Sequence, residues 1–286
     1  MWNPFNRNTI SNSSASKRSL QLITQKGMPF AYVEAYKALR TNLNFLSGSG
    51  DVHAFVVTST VPEEAKSNVS VNLALALTES GKKVVLVDCD LRKPVLHRYL
   101  KAGHNLKGVS NVLSRQVALS DALVKLKDIP NLTFLPAGTT PPNPSELLSQ
   151  PQMQEMVNTL RGSYDFVILD APPISMVTDA AVIGRIVDGA LFVVRSKYAS
   201  TDAVKTALEK LQDAGVKVLG AVLTCYDAKK SLKRSDYGYG YYYYNSNYSY
   251  GAPDGISESA VKKSGLTSKK QHNGKEKHSV HTEDEA

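Results

Sequence analysis

The chain has 286 residues, a formal net charge of +8 and 42% hydrophobic residues. These values allow one sizeable α/β domain, which we place at residues 29–228, between a flexible lead-in at 1–28 and a disordered tail at 229–286. No apolar run approaches the roughly 20 residues that span a bilayer, and the beginning lacks a signal-peptide pattern, so we expect a cytoplasmic protein. Much of the positive charge lies in tail lysines, which favours weak attraction to an anionic membrane surface and argues against nucleic-acid binding.

The first predicted element is an amphipathic helix over residues 32–45, where apolar residues recur at helical spacing. Compact apolar runs then alternate with helix-patterned stretches. The predicted strands are 54–58, 84–88, 132–136, 166–170, 190–195 and 216–224. The further predicted helices are 67–80, 145–160, 178–187 and 201–214. Apolar strands joined by helices predict an α/β fold, in which a parallel sheet carries helices on both faces.

The two cysteines, Cys89 and Cys225, both lie in apolar, strand-like runs. They show no metal-ligand spacing. The sequence therefore predicts two small core residues of a reduced protein, and it argues against a disulfide or a zinc site.

The segment TSTVPEEAKSN at residues 58–68 lies between a predicted strand and a predicted helix, the context of a phosphate-binding P-loop. In such a loop backbone N–H groups surround the phosphates, a lysine neutralises them, and the next Ser or Thr binds Mg²⁺. Lys66 and Ser67 match those two roles, although a Lys-Ser pair at a helix start is also typical of an ordinary cap. The predicted nucleotide-binding residues are Pro62, Glu63, Glu64, Ala65, Lys66, Ser67 and Asn68.

Acidic residues end two further predicted strands. Asp88 and Asp90 belong to VVLVDCD, and Asp170 belongs to VILDAPP. Ligands of parallel sheets bind at the carboxyl ends of the strands, where carboxylates hold Mg²⁺ or accept a proton. Each Asp alone could instead be a helix N-cap. The convergence of three strand ends favours a shared magnesium and phosphate site.

Beyond residue 229 a cluster of tyrosines stands in a Gly-, Ser- and Asn-rich background that cannot build a core. Such a segment can be an adhesive association element, but its pairing with a phosphate site favours phosphorylation of the hydroxyls. The predicted phosphoacceptors are Tyr237, Tyr239, Tyr241, Tyr242, Tyr243, Tyr244, Tyr248 and Tyr250.

Together these segments resemble the cytoplasmic bacterial tyrosine kinases of capsular and exopolysaccharide assembly, a branch of the deviant-Walker P-loop ATPases. The resemblance covers roughly residues 30–250. Its matching pieces are EAYKALRTNL, the P-loop segment, VDCDLRKP, PAGTTPPNPSELL, YDFVILDAPP and the tyrosine tail. The combination of PPNPSELL with the tyrosine cluster is the most specific part.

The resemblance implies that the cofactors are ATP and Mg²⁺, bound by Lys66 and Ser67. It implies that Asp90 and Asp170 organise the metal together with Ser67. It also implies that Asp88 activates the incoming tyrosine hydroxyl, which has an ordinary pKa near 10 and needs such assistance at neutral pH.

The resemblance further implies a ring-like homo-oligomer in which tails are phosphorylated in trans. The first helix would contact a neighbour through Glu34, Lys37 and Arg40, whose spacing places them near one face. The alternative for these residues is a solvated charged edge. A membrane adaptor of the polysaccharide co-polymerase type and a cognate tyrosine phosphatase are the other implied partners, so the expected location is the inner face of the membrane.

The phosphate loop departs from the family pattern. Glu63 and Ala65 stand where the family typically carries glycine, Asn68 replaces a usual Thr, and Thr224 stands where related proteins often have an Asn near the base. A left-handed conformation at Ala65 would cost about 1 to 2 kcal/mol. These changes suggest weakened, adaptor-dependent nucleotide binding and leave open a pseudokinase scaffold. A partitioning-type ATPase is disfavoured because the loop lacks that group's extra lysine.

Overall fold

The computed structural model describes residues 21–48 and 52–226. Seven strands are described: β1 (Ala54–Ser59), β2 (Val84–Asp88), β3 (Val124–Lys125), β4 (Leu132–Leu135), β5 (Phe166–Asp170), β6 (Ala190–Arg195) and β7 (Val218–Thr224). Nine helices are described in the same residues: α1 (Phe30–Gly48), α2 (Lys66–Glu79), α3 (Leu96–Tyr99), α4 (Val109–Leu113), α5 (Leu119–Ala122), α6 (Pro144–Leu148), α7 (Pro151–Arg161), α8 (Asp179–Gly184) and α9 (Thr201–Asp213). The predicted phosphoacceptor tyrosines and the domain boundary at residue 228 lie outside the described residues.

The strands form one sheet in the order β3-β4-β2-β5-β1-β6-β7. All neighbours are parallel except β3, which pairs antiparallel with β4 at one edge. The register sets Asp88 of β2 beside Asp170 of β5, and Val57 of β1 pairs with the same Asp170. Parallel pairing therefore brings the predicted acidic residues and the start of the phosphate loop to one edge of the sheet.

Both faces of the sheet are covered, as the uninterrupted apolar strands predict. Along β1, Phe55 and Val57 join a buried cluster with α2, whereas Ala54 and Val56 join a second cluster with α7, α8 and α9. Burial of β1, β2, β4 and β5 is complete along their lengths. The α/β fold with helices on both faces is thus confirmed.

Several elements differ from the sequence prediction. The expected helix over residues 145–160 is two helices, because Pro151 begins α7 and cannot continue the hydrogen bonding of α6. The expected helix over 178–187 spans only Asp179–Gly184. Strand β3 and helices α3, α4 and α5 were not predicted, since elements of two to five residues are too short to show periodicity.

Two further predictions are corrected. Cys89 is buried as expected, but Cys225 is exposed with a positive φ of 54° because β7 ends before it. Residues 21–28, assigned to a flexible lead-in, lie against α2: Ile23 is buried and its N–H donates to Asn72 Oδ1 at 2.8 Å. In the described part of the chain, no helix combines the length and hydrophobicity that a membrane crossing requires.

Candidate nucleotide and catalytic site

The phosphate loop connects β1 to α2. It contains no glycine, yet its backbone adopts left-handed conformations that favour glycine. Glu63 has φ 66° and Ala65 has φ 69°, both in the left-handed region. Each conformation costs a residue with a side chain about 1 to 2 kcal/mol. Ala65 is the N-cap of α2 and makes no side-chain cap, so the first-turn N–H groups are not capped by its side chain. Ala65 thus adopts the left-handed conformation whose cost the sequence analysis considered, and Glu63 adopts it as well.

Lys66 lies at the centre of a cluster of oxygen atoms. Its Nζ is 3.2 Å from Asp90 Oδ2 and 3.2 Å from Asp170 Oδ2, and it donates to Ser67 Oγ at 3.2 Å. Ser67 Oγ in turn donates to Asp170 Oδ2 at 2.6 Å. Burial disfavours the charged ammonium, but the carboxylates of Asp170, Asp90 and Asp88 outweigh burial and raise the pKa of Lys66. The structure therefore brings these predicted residues together around one buried cation.

Asp88 is enclosed beside this cluster. Its Oδ1 accepts the N–H of Asp90 at 3.3 Å and its Oδ2 accepts the N–H of Leu96 at 3.2 Å. Burial, and next the charge of Asp170, raise the pKa of Asp88 to about 8. A carboxylate with a pKa near the working pH is suited to exchange a proton. Asp88 also positions Asp90, because it fixes the backbone that carries that residue.

The loop residues around Lys66 differ in their burial and in their contacts. Pro62 and Glu63 are exposed at the tip of the loop. Glu64 is 1% exposed, and its carboxylate bonds to backbone N–H groups within the protein. Asn68 lies in the first turn of α2. Its side-chain oxygen accepts hydrogen bonds from the hydroxyls of Tyr32 and Tyr36 of α1, each at 3.0 Å. The Asn68 side chain is therefore engaged with α1, and its role in nucleotide binding stays a prediction.

Sequence reasoning missed two sets of contacts. Ser70, one turn along α2, donates to Asp170 Oδ1 at 3.0 Å. The Nε of Arg92 donates to Asp179 Oδ2 at 3.0 Å, and its Nη2 donates to Ser145 Oγ at 2.8 Å. The second set joins the segment after Asp90 to α6 and α8. The only sequence signal for the second set was that Arg92 and Ser145 lie in the motifs VDCDLRKP and NPSELL. Sequence spacing alone could not show that these two motifs contact each other.

The predicted oligomer contacts lie on α1. Lys37 Nζ is 2.7 Å from Glu34 Oε1, and both side chains are about two-fifths exposed, at 41% and 38%. Arg40 Nη1 donates to the carbonyl of Ala76 of α2 at 2.9 Å. The Glu34–Lys37 pair thus faces solvent, whereas Arg40 is engaged within the chain; their contact with a neighbour stays a prediction.

The donor chemistry fits Mg²⁺ bound with a nucleotide. Magnesium prefers oxygen ligands and is usually held by one or two carboxylates plus phosphate oxygens and water. Ser67, Asp90 and Asp170 supply a hydroxyl and two carboxylates that already surround a cation, the Lys66 ammonium. In the described residues no group of three His, Cys, Asp or Glu side chains forms a complete metal cage. One hydroxyl and two carboxylates suit a metal that also takes ligands from phosphate and water.

The chain is similar to several known proteins. The profile of the AAA domain family matches residues 64–218. The tyrosine-protein kinase YwqD of Bacillus subtilis is 37% identical over 205 residues, which are 72% of this chain and 84% of YwqD. The kinase domain of the Escherichia coli tyrosine kinase ETK is 33% identical, with a TM-score of 0.64, over 70% of this chain and 81% of that domain. MinD of Pyrococcus horikoshii, solved with Mg-ADP, is 25% identical, with a TM-score of 0.52, over 60% of this chain and 70% of MinD.

The family profile begins within the phosphate loop, at Glu64, and extends to the start of β7. The fold is that of P-loop nucleotide-binding proteins. The relative from Bacillus subtilis covers nearly three-quarters of this chain at more than a third identity. The chain belongs to the bacterial tyrosine-protein kinase family.

Proposed function

We propose that the protein binds ATP and Mg²⁺, phosphorylates the tyrosines of its own tail and thereby regulates capsular or exopolysaccharide biosynthesis and export. The single observation that carries this proposal is the position of Lys66 between Asp90 and Asp170 at the start of α2. A charged lysine, a hydroxyl and two carboxylates at a helix N-terminus are the components of a phosphoryl-transfer site. Their retention favours a working kinase over a pseudokinase scaffold.

In the proposed reaction Lys66 neutralises phosphate charge and the N–H groups of the α2 first turn orient the phosphates. The tyrosine hydroxyl oxygen forms a bond to the γ-phosphorus, and the bond from that phosphorus to the β–γ bridging oxygen breaks, releasing ADP. The hydroxyl proton passes to Asp88. Asp88 accepts this proton in its ionised form, and because burial raises its pKa to about 8, that form is a stronger base than an ordinary carboxylate.

Ser67, Asp90 and Asp170 are the residues that would hold Mg²⁺, which supplies charge neutralisation at the β- and γ-phosphate oxygens when bound. Ser70 and Ser67 both donate to Asp170, so the orientation of this carboxylate is fixed before the metal binds. Preorganisation of this kind reduces the reorganisation needed during phosphoryl transfer.

The partners are proposed on the family resemblance. They are other copies of the chain in a ring contacted through Glu34, Lys37 and Arg40, a membrane adaptor of the polysaccharide co-polymerase type, and a cognate tyrosine phosphatase. The exposed Glu34–Lys37 edge of α1 supports a polar contact with a neighbour. The proposed location is the cytoplasmic face of the membrane, reached through the adaptor.

A Lys66→Met variant tests the kinase assignment. Wild-type protein incubated with Mg-ATP and the cytoplasmic segment of a candidate adaptor is expected to gain phosphotyrosine, detected with an antibody. Lys66→Met loses the central cation of the cluster and is expected to gain none. An equal signal in both proteins, or none in the wild type, would exclude intrinsic kinase activity.

A further inference from the structure

Glu64 makes contacts unlike those of any other residue of the phosphate loop. It lies between the two left-handed residues Glu63 and Ala65, yet it is 1% exposed. Its Oε2 accepts the N–H of Val61 at 2.8 Å, and its Oε1 accepts the N–H of Arg195 at 3.2 Å. One buried carboxylate therefore joins the start of the loop to the end of β6.

The backbone of the same segment is held from the neighbouring strand ends. The carbonyl of Glu64 accepts Thr224 Oγ1 of β7 at 2.9 Å. The carbonyl of Glu63 accepts Nη1 of Arg195 of β6 at 3.2 Å. These bonds fix the peptide groups that flank Glu64, so that both strained residues are held between fixed points.

Strained left-handed residues persist only where the surrounding structure determines their conformation. Glycine would adopt these conformations without a steric cost, and Glu63 and Ala65 do not. We propose that Glu64 is the positioning residue that keeps the glycine-free phosphate loop in its nucleotide-binding shape. This inference deepens the proposed function and rests on it, because the shape matters for a bound nucleotide.

The test is a double-mutant cycle between Glu64→Gln and the pair Glu63→Gly and Ala65→Gly. A glutamine keeps the size of Glu64, but in the same orientation its amide NH2 group replaces one of the two acceptor oxygens and faces a backbone N–H donor. Dissociation constants are measured for a fluorescent ADP analogue with Mg²⁺. In the natural loop Glu64→Gln is expected to weaken binding about tenfold, and in the glycine loop less than about threefold, because glycine removes the need for the constraint.

Asp188→Asn is the matched control. Asp188 also uses one carboxylate to accept two backbone N–H groups, those of His53 and Ala54, but it lies at the opposite end of β1. It is expected to lower the thermal midpoint of unfolding and leave the dissociation constant unchanged. A general loss of stability would move the midpoint alone, whereas loss of loop shape moves the dissociation constant.

Amide hydrogen exchange in nucleotide-free protein gives a readout that does not depend on the proposed function. Glu64→Gln is expected to speed exchange at Val61 and Arg195 in the natural loop, and Asp188→Asn is expected not to. An unchanged dissociation constant and unchanged exchange in Glu64→Gln, or an equal loss of affinity in both loops, would overturn the positioning role. If the wild type bound no nucleotide, the proposed function would fail. The comparison of amide exchange in Glu64→Gln and Asp188→Asn would still decide the role of Glu64.

Discussion

Ala65 shows how a single residue shapes the expected affinity for nucleotide. It sits directly before Lys66, at φ 69° and ψ 22°, where the family typically has glycine. The conformation is reached, so the loop shape survives at a local cost of about 1 to 2 kcal/mol. The lysine and the carboxylates that we propose to handle phosphate are unaffected by this cost, because the strain lies in the backbone.

Replacing both strained residues by glycine tests this cost. A Glu63→Gly and Ala65→Gly protein is expected to bind Mg-ATP at least about tenfold more tightly, because about 1 to 2 kcal/mol of strain is relieved at each of the two positions and about 1.4 kcal/mol corresponds to a factor of ten. Removal of the Glu63 carboxylate also removes a negative charge near the phosphates. Isothermal titration of the two proteins measures the difference, and equal affinities would contradict the strain account.

At the same scale, the sequence predicted the chemical groups of the site better than their connections. Four predicted groups lie close together as the motifs predict: Lys66, Ser67, Asp90 and Asp170. Two of them stand at or just beyond the end of a strand and two begin α2, and these points meet at one edge of the sheet. The role of Glu64 could not be predicted, since its partner Arg195 is far away in sequence. Local patterns carry no information on such pairings.

Among the elements, β1 is fixed at its beginning by Asp188. This carboxylate accepts the N–H groups of His53 and Ala54 and pairs with Arg161 of α7 at 2.8 Å. Burial would raise the pKa of Asp188, but the bond from Arg161 and the two backbone N–H groups outweigh it and lower the pKa. The ionised form is therefore the one that stabilises the fold.

This linkage predicts acid sensitivity. Since the folded pKa of Asp188 lies below its unfolded value of roughly 4, its stabilisation is complete above that value and is lost as the pH falls through the folded pKa. Asp188→Asn is expected to lower the free energy of unfolding by about 1 to 3 kcal/mol at pH near 7 and by less below about pH 3. Urea unfolding at several pH values measures this, and a difference independent of pH would contradict it.

Helix α1 is joined to α2 by hydroxyl groups. Tyr36 is 8% exposed and donates to Asn68 Oδ1, as does Tyr32, and the two rings meet edge to face at 5.2 Å. Asn68, which replaces the usual Thr, supplies an acceptor that reaches both tyrosines. Helix α2, which follows the phosphate loop, is thereby in direct contact with helix α1, which carries the predicted oligomer contacts.

A Tyr36→Phe variant tests this junction. Loss of one buried hydrogen bond is expected to lower the free energy of unfolding by about 0.5 to 1.5 kcal/mol. The exposed Tyr226 provides a control, and Tyr226→Phe is expected to change stability by less than about 0.5 kcal/mol. Chemical denaturation of both variants decides the matter, and equal stability of Tyr36→Phe and wild type would exclude a contribution of this bond.

The larger elements were predictable because their apolar patterns are long. The buried strands β1, β2, β5 and β6 were found to within one residue. The division of α6 from α7 was missed although Pro151 marks it, because the apolar positions on both sides keep a helical spacing. The edge pairing of β3 depends on β4 alone and left no periodic signal in two residues.

For the whole molecule, the proposed account requires that one chain's site meets another chain's tail. A mixture of two full-length proteins tests transfer in trans: one carries Lys66→Met, and the other has all eight predicted tail tyrosines changed to phenylalanine. Phosphotyrosine is expected on the Lys66→Met chain, because its partner supplies the active cluster. Absence of that signal, when wild type alone is phosphorylated, would show that transfer occurs only within one chain.

The central claim is that the Lys66 cluster transfers the γ-phosphoryl group of ATP to the tail tyrosines. The most direct measurement is mass spectrometry of the tail after incubation of the full chain with Mg-ATP and an adaptor's cytoplasmic segment. We predict phosphate on several of the tyrosines between residues 237 and 250 in the wild type and on none in Lys66→Met. An unmodified wild-type tail, or the same phosphorylated sites in both proteins, would contradict the account.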